Sequence, residues 1–97
     1  MTRDQFLCFK FPLLPYCTVK RGPSTRFNES FHLHSAATDT NLNFFWNDDD
    51  TVSVSAYRCA EPNPWEQMVS LVAHSQTMTR KQVDVWCKKY LITSKNN

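Results

Sequence analysis

An alternation of apolar and polar residues, interrupted by an acidic turn, constrains the fold of this chain more than any other feature. Leu42, Phe44 and Trp46 have a spacing of two, and Val52, Val54 and Ala56 repeat that spacing after the turn. A period of two is typical of a strand that buries one face. The run Asn47-Asp48-Asp49-Asp50 between the two segments is typical of a turn. The segment from Leu42 to Ala56 therefore predicts an antiparallel hairpin.

Weaker strand patterns precede this hairpin. Phe27, Phe31 and Leu33 share a parity, and the segments Gln5–Phe9 and Tyr16–Lys20 are short apolar runs that end at Pro or Gly turns. These patterns predict four or five short strands between residues 5 and 57.

After Tyr57 the spacing of apolar residues changes to three and four, which is typical of helices. The segment Asn63-Pro64-Trp65-Glu66 has the features of a helix start, and four apolar residues then share one helical face: Trp65, Met68, Val69 and Val72. Thr79-Arg80-Lys81-Gln82 is a second capping box, and it precedes the stripe Val83, Trp86, Tyr90 and Leu91. We therefore expect two C-terminal helices, at 64–74 and 79–92.

These elements predict an α+β fold, in which a mostly antiparallel sheet of four or five short strands is packed by two C-terminal helices. The 97 residues, of which 41% are hydrophobic, fit a single domain. We expect a strand-rich part at 5–57, a helical pair at 64–92 and a flexible tail at 93–97.

The charge of the chain is unevenly distributed. Residues 1–78 carry six Lys and Arg against eight Asp and Glu, whereas residues 79–97 carry five against one. A cationic last helix can bind phosphates, so we expect nucleic-acid binding through Arg80, Lys81, Lys88 and Lys89. The alternative is a solvated helix whose lysines complement its own dipole.

The C-terminal third also resembles a known DNA-binding family. Leu71 and Ala73 as packing residues, Thr79 as the cap, and Gln82-Val83 and Val85-Trp86 in the last helix resemble the second and third helices of a homeodomain. Cys87 stands where an aromatic residue is usual, and Lys88-Lys89-Tyr90-Leu91 replaces the usual Gln-Asn-Arg-Arg. The resemblance implies a degenerate helix-turn-helix. Lys89 takes the place of the adenine-reading Asn, so this module would hold phosphates rather than read bases.

A second hypothesis concerns the aromatic run Phe44-Phe45-Trp46, which places rings on both sides of one strand. Either helices cover both faces of the sheet, or some rings lie at an interface. In the latter case the chain is a protein-interaction module, such as an adaptor, a regulator or a viral accessory protein, that dimerises or recruits a protein partner.

A third hypothesis is a metal-dependent nuclease. Phe31-His32-Leu33-His34 resembles the His-hydrophobe-His motif of rolling-circle replication endonucleases, and Phe11–Cys17 resembles the N-terminal motif of that family. The resemblance implies that His32 and His34 hold a divalent metal and that Tyr90 is the nucleophile. The alternative is a pair of solvent-facing or hydrogen-bonded histidines.

The four cysteines, Cys8, Cys17, Cys59 and Cys87, include no Cys-x-x-Cys pair, and the set Cys8, Cys17, His32, His34 lacks the spacing of common zinc sites. No secretory signal or membrane-spanning run is visible, so we expect an intracellular protein with reduced thiols that does not associate with membranes. The sequence therefore favours a small, non-enzymatic regulatory module without a cofactor. Nucleic acid is its first expected partner, and a protein or a second copy of the chain is the alternative.

Overall fold

A computed structural model describes residues 1–59 and 67–92. The chain begins with a short helix, α1 (Arg3–Leu7). Five strands follow: β1 (Cys17–Arg21), β2 (Asn28–Ser35), β3 (Thr40–Asn47), β4 (Val52–Cys59) and β5 (Gln67–Ser75). Helix α2 (Arg80–Cys87) continues directly into a π-helical turn, Lys88–Ile92, and we call the two together the last helix.

The five strands form one antiparallel sheet in the order β1-β2-β3-β4-β5. The hairpin expected from the alternating residues is confirmed as β3 and β4, in which Phe44 lies opposite Val54. Its turn is closed by the hydrogen bond from Asp50 N to Asn47 O at 2.9 Å, and Asp50 has φ 62°, a left-handed conformation that Asp tolerates better than most residues.

The sheet has one apolar face, which we call the inner face. Leu33, Leu42, Phe44 and Val54 lie there and are almost fully buried. Three residues of the last helix pack against this face and complete the core: Val83, Cys87 and Leu91. A sheet is stabilised when one apolar face is buried against another element. The last helix is the main element that buries the inner face.

The N-terminal segment covers the rest of the inner face with aromatic rings. The Phe6 ring of α1 lies 5.2 Å from that of Phe31, and Phe11 contacts both Phe31 at 5.1 Å and Phe44 at 4.9 Å between ring centroids. These tilted contacts have the geometry that aromatic pairs prefer.

The opposite side of the sheet, which we call the open face, carries short polar side chains and a few rings. The residues of β2, β3 and β4 that share this face are Asn28, Ser30, His32, His34, Asn41, Asn43, Phe45, Asn47, Ser53, Ser55 and Tyr57.

The expectation of two C-terminal helices is wrong. The described part of the predicted helix 64–74 lies in strand β5, which pairs with β4. A β-bulge explains the error: Val54 pairs with Ala73 but the next residue, Ser55, pairs with Leu71, so one residue of β5 has no partner. This extra residue, Val72, interrupts the period of two, so β5 lacks the alternation of a regular strand. The predicted start, Asn63–Glu66, lies outside the described residues.

The N-terminal expectation is also wrong. Gln5–Phe9 was expected to be a strand, whereas Arg3–Leu7 is helical. The helix begins at a capping box, in which Gln5 N donates to Thr2 Oγ1 at 3.2 Å and Thr2 N donates to Gln5 Oε1 at 2.9 Å. The strands therefore lie between residues 17 and 75 rather than between 5 and 57. The predicted tail, 93–97, lies outside the described residues.

Candidate nucleic-acid interface

The start of α2 is set by a second capping box, as the sequence predicts. Gln82 N donates to Thr79 Oγ1 at 3.2 Å, and Thr79 N donates to Gln82 Oε1 at 2.9 Å. These bonds satisfy backbone groups that a helix start leaves without partners. The cap fixes where the helix begins, and the apolar residues that follow it decide which side of the helix faces the sheet.

The last helix has a buried and an exposed side. Val83, Cys87 and Leu91 are at most 1% exposed, and the Trp86 ring packs at 6.2 Å from that of Phe44. The exposed side carries three lysines, Lys81, Lys88 and Lys89. The apolar stripe anchors the helix, which holds these ammonium groups on the outer surface of the protein.

The side chain of Arg80 makes two contacts within the protein. Its Nε lies 3.5 Å from Asp84 Oδ1, and its Nη1 donates a 3.2 Å hydrogen bond to Lys10 O. Its guanidinium therefore ties the start of α2 to the N-terminal segment. Asp84 lies one turn from both Lys81 and Lys88 and reduces the positive potential between them.

A small cleft lies beside the end of the last helix, between the π-helical turn and the rim of the inner face. Its volume is about 150 Å³. The residues around it are Thr40, Ala56, Tyr57, Arg58, Ser70, Lys89 and Tyr90. Arg58 lies opposite Thr40 in the pairing of β3 with β4, and it borders the same cleft as Lys89 of the π-helical turn.

Arg58 is not among the residues that the sequence predicts to contact phosphate. A signal was present, because Arg58 continues the parity of Val52, Val54 and Ala56, which places it on the face that the last helix covers.

The residues proposed for partner binding do not lie together. Phe44 is fully buried and Trp46 is only 6% exposed, so both rings belong to the core. Phe45 lies on the open face, 5.7 Å from the His32 ring between centroids. Of the three rings, Phe45 alone is placed where a partner could contact it.

The two histidines proposed as metal ligands also lie on the open face. His32 Nδ1 is 2.7 Å from Asn43 Oδ1, and His34 Nε2 is 3.2 Å from Asp39 Oδ1. Within residues 1–59 and 67–92, no three His, Cys, Asp or Glu side chains are grouped closely enough to hold a metal ion. Tyr90, the proposed nucleophile, packs on the inner side, so the sheet separates it from both histidines.

The described cysteines occupy three different environments. Cys8 is exposed, Cys17 is partly buried and Cys87 is buried, and all three are free thiols. Burial raises the pKa of Cys87 to about 11, and the nearby carboxylate of Asp84 adds to this effect. The side chain of Cys59 lies outside the described part.

Comparison with protein-family profiles, with curated proteins and with solved structures yields no match. The homeodomain and endonuclease resemblances thus stay predictions from sequence. The described helices include none that is long and apolar enough to cross a membrane.

Proposed function

We propose that this protein binds nucleic acid through the exposed side of its last helix, with Lys81, Lys88 and Lys89 as phosphate contacts. The observation that carries the proposal is the division of this helix, whose apolar stripe is buried in the core while its lysines face outward. Such a surface attracts a polyanion mainly by counterion release, which does not depend on base sequence.

The contacts proposed here are to the backbone rather than to base edges. Lysine holds phosphate as a point charge, whereas base readout in the major groove typically uses Arg, Asn or Gln in bidentate geometry. The first helix of a helix-turn-helix would have to lie where β5 is found. We therefore expect weak discrimination between sequences and affinity that depends strongly on salt.

The test is the anisotropy of fluorescein-labelled duplex DNA, single-stranded DNA and RNA, titrated with protein at about 50 and about 200 mM salt. Three phosphate contacts correspond to a slope of log K against log salt of about −3 for duplex DNA and about −2 for a single strand. The variant Lys81→Ala/Lys88→Ala should weaken binding to every sequence and reduce the size of the slope by about two.

The matched control is Lys20→Ala, which removes the same charge from an exposed position on β1, on the open-face side of the sheet. This variant should bind like the wild type. Absence of binding at low salt, or an equal loss in the control, would contradict the proposal. Circular dichroism of each variant checks that the fold is retained.

A second candidate function is self-association through the open face. It is favoured by Phe45, a large apolar ring on a face that the last helix does not cover. We expect sedimentation velocity to give a concentration-dependent dimer for the wild type and a monomer for Phe45→Ala. A wild-type monomer at concentrations up to about 100 μM, which corresponds to a free energy of association weaker than about −5.5 kcal/mol, would exclude this candidate.

A further inference from the structure

An open groove lies on the surface of α2, beside Trp86. Its volume is about 350 Å³, and its lining is mainly apolar. The residues around it are Thr79, Lys81, Gln82, Val85 and Trp86. Sites for small organic ligands typically have volumes of about 300–1,000 Å³ and apolar linings. The groove is therefore large enough for a flat aromatic group such as a nucleobase.

Val85 is an apolar residue of α2 that the core does not use. It is 56% exposed, whereas Val83 is fully buried. Lys81 lies one turn before Val85 and Lys88 lies one turn after it, and Lys88 retains helical backbone angles. Both lysines are exposed, and they are about 10.5 Å apart along the helix axis. An apolar side chain thus lies between two cationic ones on the same line of the helix.

Trp86 contacts the core and also borders the groove. Its ring lies 6.2 Å from that of Phe44 between centroids, at an angle of 43°. The residue is only partly buried, because it packs against the core cluster from outside. The contact with Phe44 restricts the indole, so a ligand that stacks on it loses little additional side-chain entropy. Aromatic side chains of this kind bind unpaired bases in proteins that hold single strands.

We propose that this groove holds an unpaired nucleobase against Trp86 and Val85 while Lys81 and Lys88 contact the phosphates on either side of that base. The inference rests on the proposed function and specifies its ligand as a single strand. The faces of a base match the apolar lining, and the flanking phosphates complement the two lysines. In a duplex each base is stacked between its neighbours and must leave the stack before it can enter a protein groove.

The experiment compares two fluorescein-labelled single strands of equal length, one with normal bases and one in which the internal nucleotides are abasic. Both carry the same number of phosphates, so the lysines attract them equally. We expect the normal strand to bind the wild type at least about fivefold more tightly, because stacking needs a base. The comparison changes the ligand and not the protein, so it is independent of the folding of any variant. Equal affinity for the two strands overturns the proposal.

Variants then assign this difference to the groove. Trp86→Leu keeps an apolar side chain against Phe44 but removes the ring, so the two strands should bind it with nearly equal affinity, whereas Trp86→Phe should keep part of the difference. Val85→Ser changes an exposed position and should reduce the difference without disturbing the core. The matched control is Phe27→Leu, which removes another exposed ring, 60% accessible, and should keep all of it.

Circular dichroism of each variant checks that the fold is retained. A difference between the strands that survives in Trp86→Leu, or that is lost in Phe27→Leu, places the base elsewhere and overturns the assignment to this groove.

A free nucleotide separates failure of this inference from failure of the proposed function. Adenosine monophosphate is titrated into wild type and Trp86→Phe, which retains the other two tryptophans, and the tryptophan fluorescence is followed. If neither strand binds but the nucleotide quenches the wild type only, the proposed function fails and the groove stands as a base site. If both strands bind with equal affinity, the groove proposal fails and the proposed function stands. If neither the strands nor the nucleotide bind, both are overturned.

Discussion

Glu29 is fully buried at the start of β2 and is held by three side chains. Ser24 Oγ donates to its Oε2 at 2.5 Å, Arg21 Nη2 donates to Oε1 at 3.1 Å, and Arg3 Nη2 donates to Oε2. The hydrogen bond from Ser24 has the largest effect in lowering the pKa of Glu29 below its ordinary value, followed by the two guanidinium groups, while burial acts in the opposite direction. The carboxylate thus links α1 to the β1–β2 hairpin.

The lowered pKa of Glu29 makes the stability depend on pH. The folded protein binds this proton less readily than the unfolded chain, so the contribution of Glu29 is present above the ordinary pKa of 4.5 and is lost as the pH falls through the folded value. We expect Glu29→Gln to lower the free energy of unfolding at pH 7 by roughly 1.5–3 kcal/mol, because the two arginines lose their counter-charge.

Urea denaturation at pH 7 and at pH 3.5 provides the measurement. The wild type should lose more stability between these two values than Glu29→Gln does. Asp4→Asn, a change of the same kind at an exposed position in α1, is the control and should behave like the wild type. Identical pH dependence in wild type and Glu29→Gln would contradict this account of the carboxylate.

The thiols of Cys8 and Cys87 should differ sharply in reactivity. The thiolate is the reactive form, and burial both raises the pKa of Cys87 to about 11 and blocks access to its sulfur, whereas Cys8 is exposed. At pH 8 we expect iodoacetamide to modify Cys8 at least about tenfold faster than Cys87, with the difference disappearing in urea. Mass spectrometry of the digested peptides measures both rates in one sample, and equal rates in the native protein would show that Cys87 is not buried.

At the scale of elements, two helix starts share nearly the same four residues. Thr2-Arg3-Asp4-Gln5 and Thr79-Arg80-Lys81-Gln82 both form capping boxes. The second could be predicted because a long apolar stripe follows it. The first is followed by a helix of only five residues, which is too short to display a helical period. At the N-terminus the capping box therefore indicates the helix correctly, whereas the spacing of apolar residues indicates a strand that does not form.

The cap of α2 can be tested directly. Thr79→Ala removes the oxygen that accepts from Gln82 N, so we expect a loss of about 1 kcal/mol in the free energy of unfolding, whereas Thr79→Ser should retain most of the stability. Thermal or urea denaturation of the two variants checks this difference. A Thr79→Ala protein as stable as Thr79→Ser would mean that the box does not stabilise the helix.

Strand β5 is an element that the spacing of apolar residues does not predict correctly. The bulge at Val72 offsets the alternation of β5 by one residue. Met68, Val69 and Val72 together have the spacing of a helical face. Two of these residues are β-branched, which favours a strand, but the capping pattern at Asn63–Glu66 argued for the opposite assignment. The hydrogen-bonded pairing with β4 decides between strand and helix, and a pairing between strands is not contained in the local sequence.

For the whole molecule, the parts of the candidate site differ in how far sequence could locate them. The exposure of Lys81 and Lys88 follows from one helix and its apolar stripe, so local patterns were sufficient. The placement of Arg58 and Lys89 around one cleft depends on how the last helix lies across the sheet, and no local pattern contains that information. The burial of Phe44 and Trp46 likewise required knowledge of which face the helix covers.

The order of the strands has a consequence for how the protein is made. Each strand pairs with the one that precedes it in the chain, so translation supplies the strands in the order in which they pair. Val83, Cys87 and Leu91, which close the core over Phe44, follow all five strands. A nascent chain that has not reached Val83 leaves the inner face only partly covered by the N-terminal segment, and exposed apolar surface favours aggregation. The inner face is therefore fully covered only after the helix that carries the exposed lysines has been synthesised.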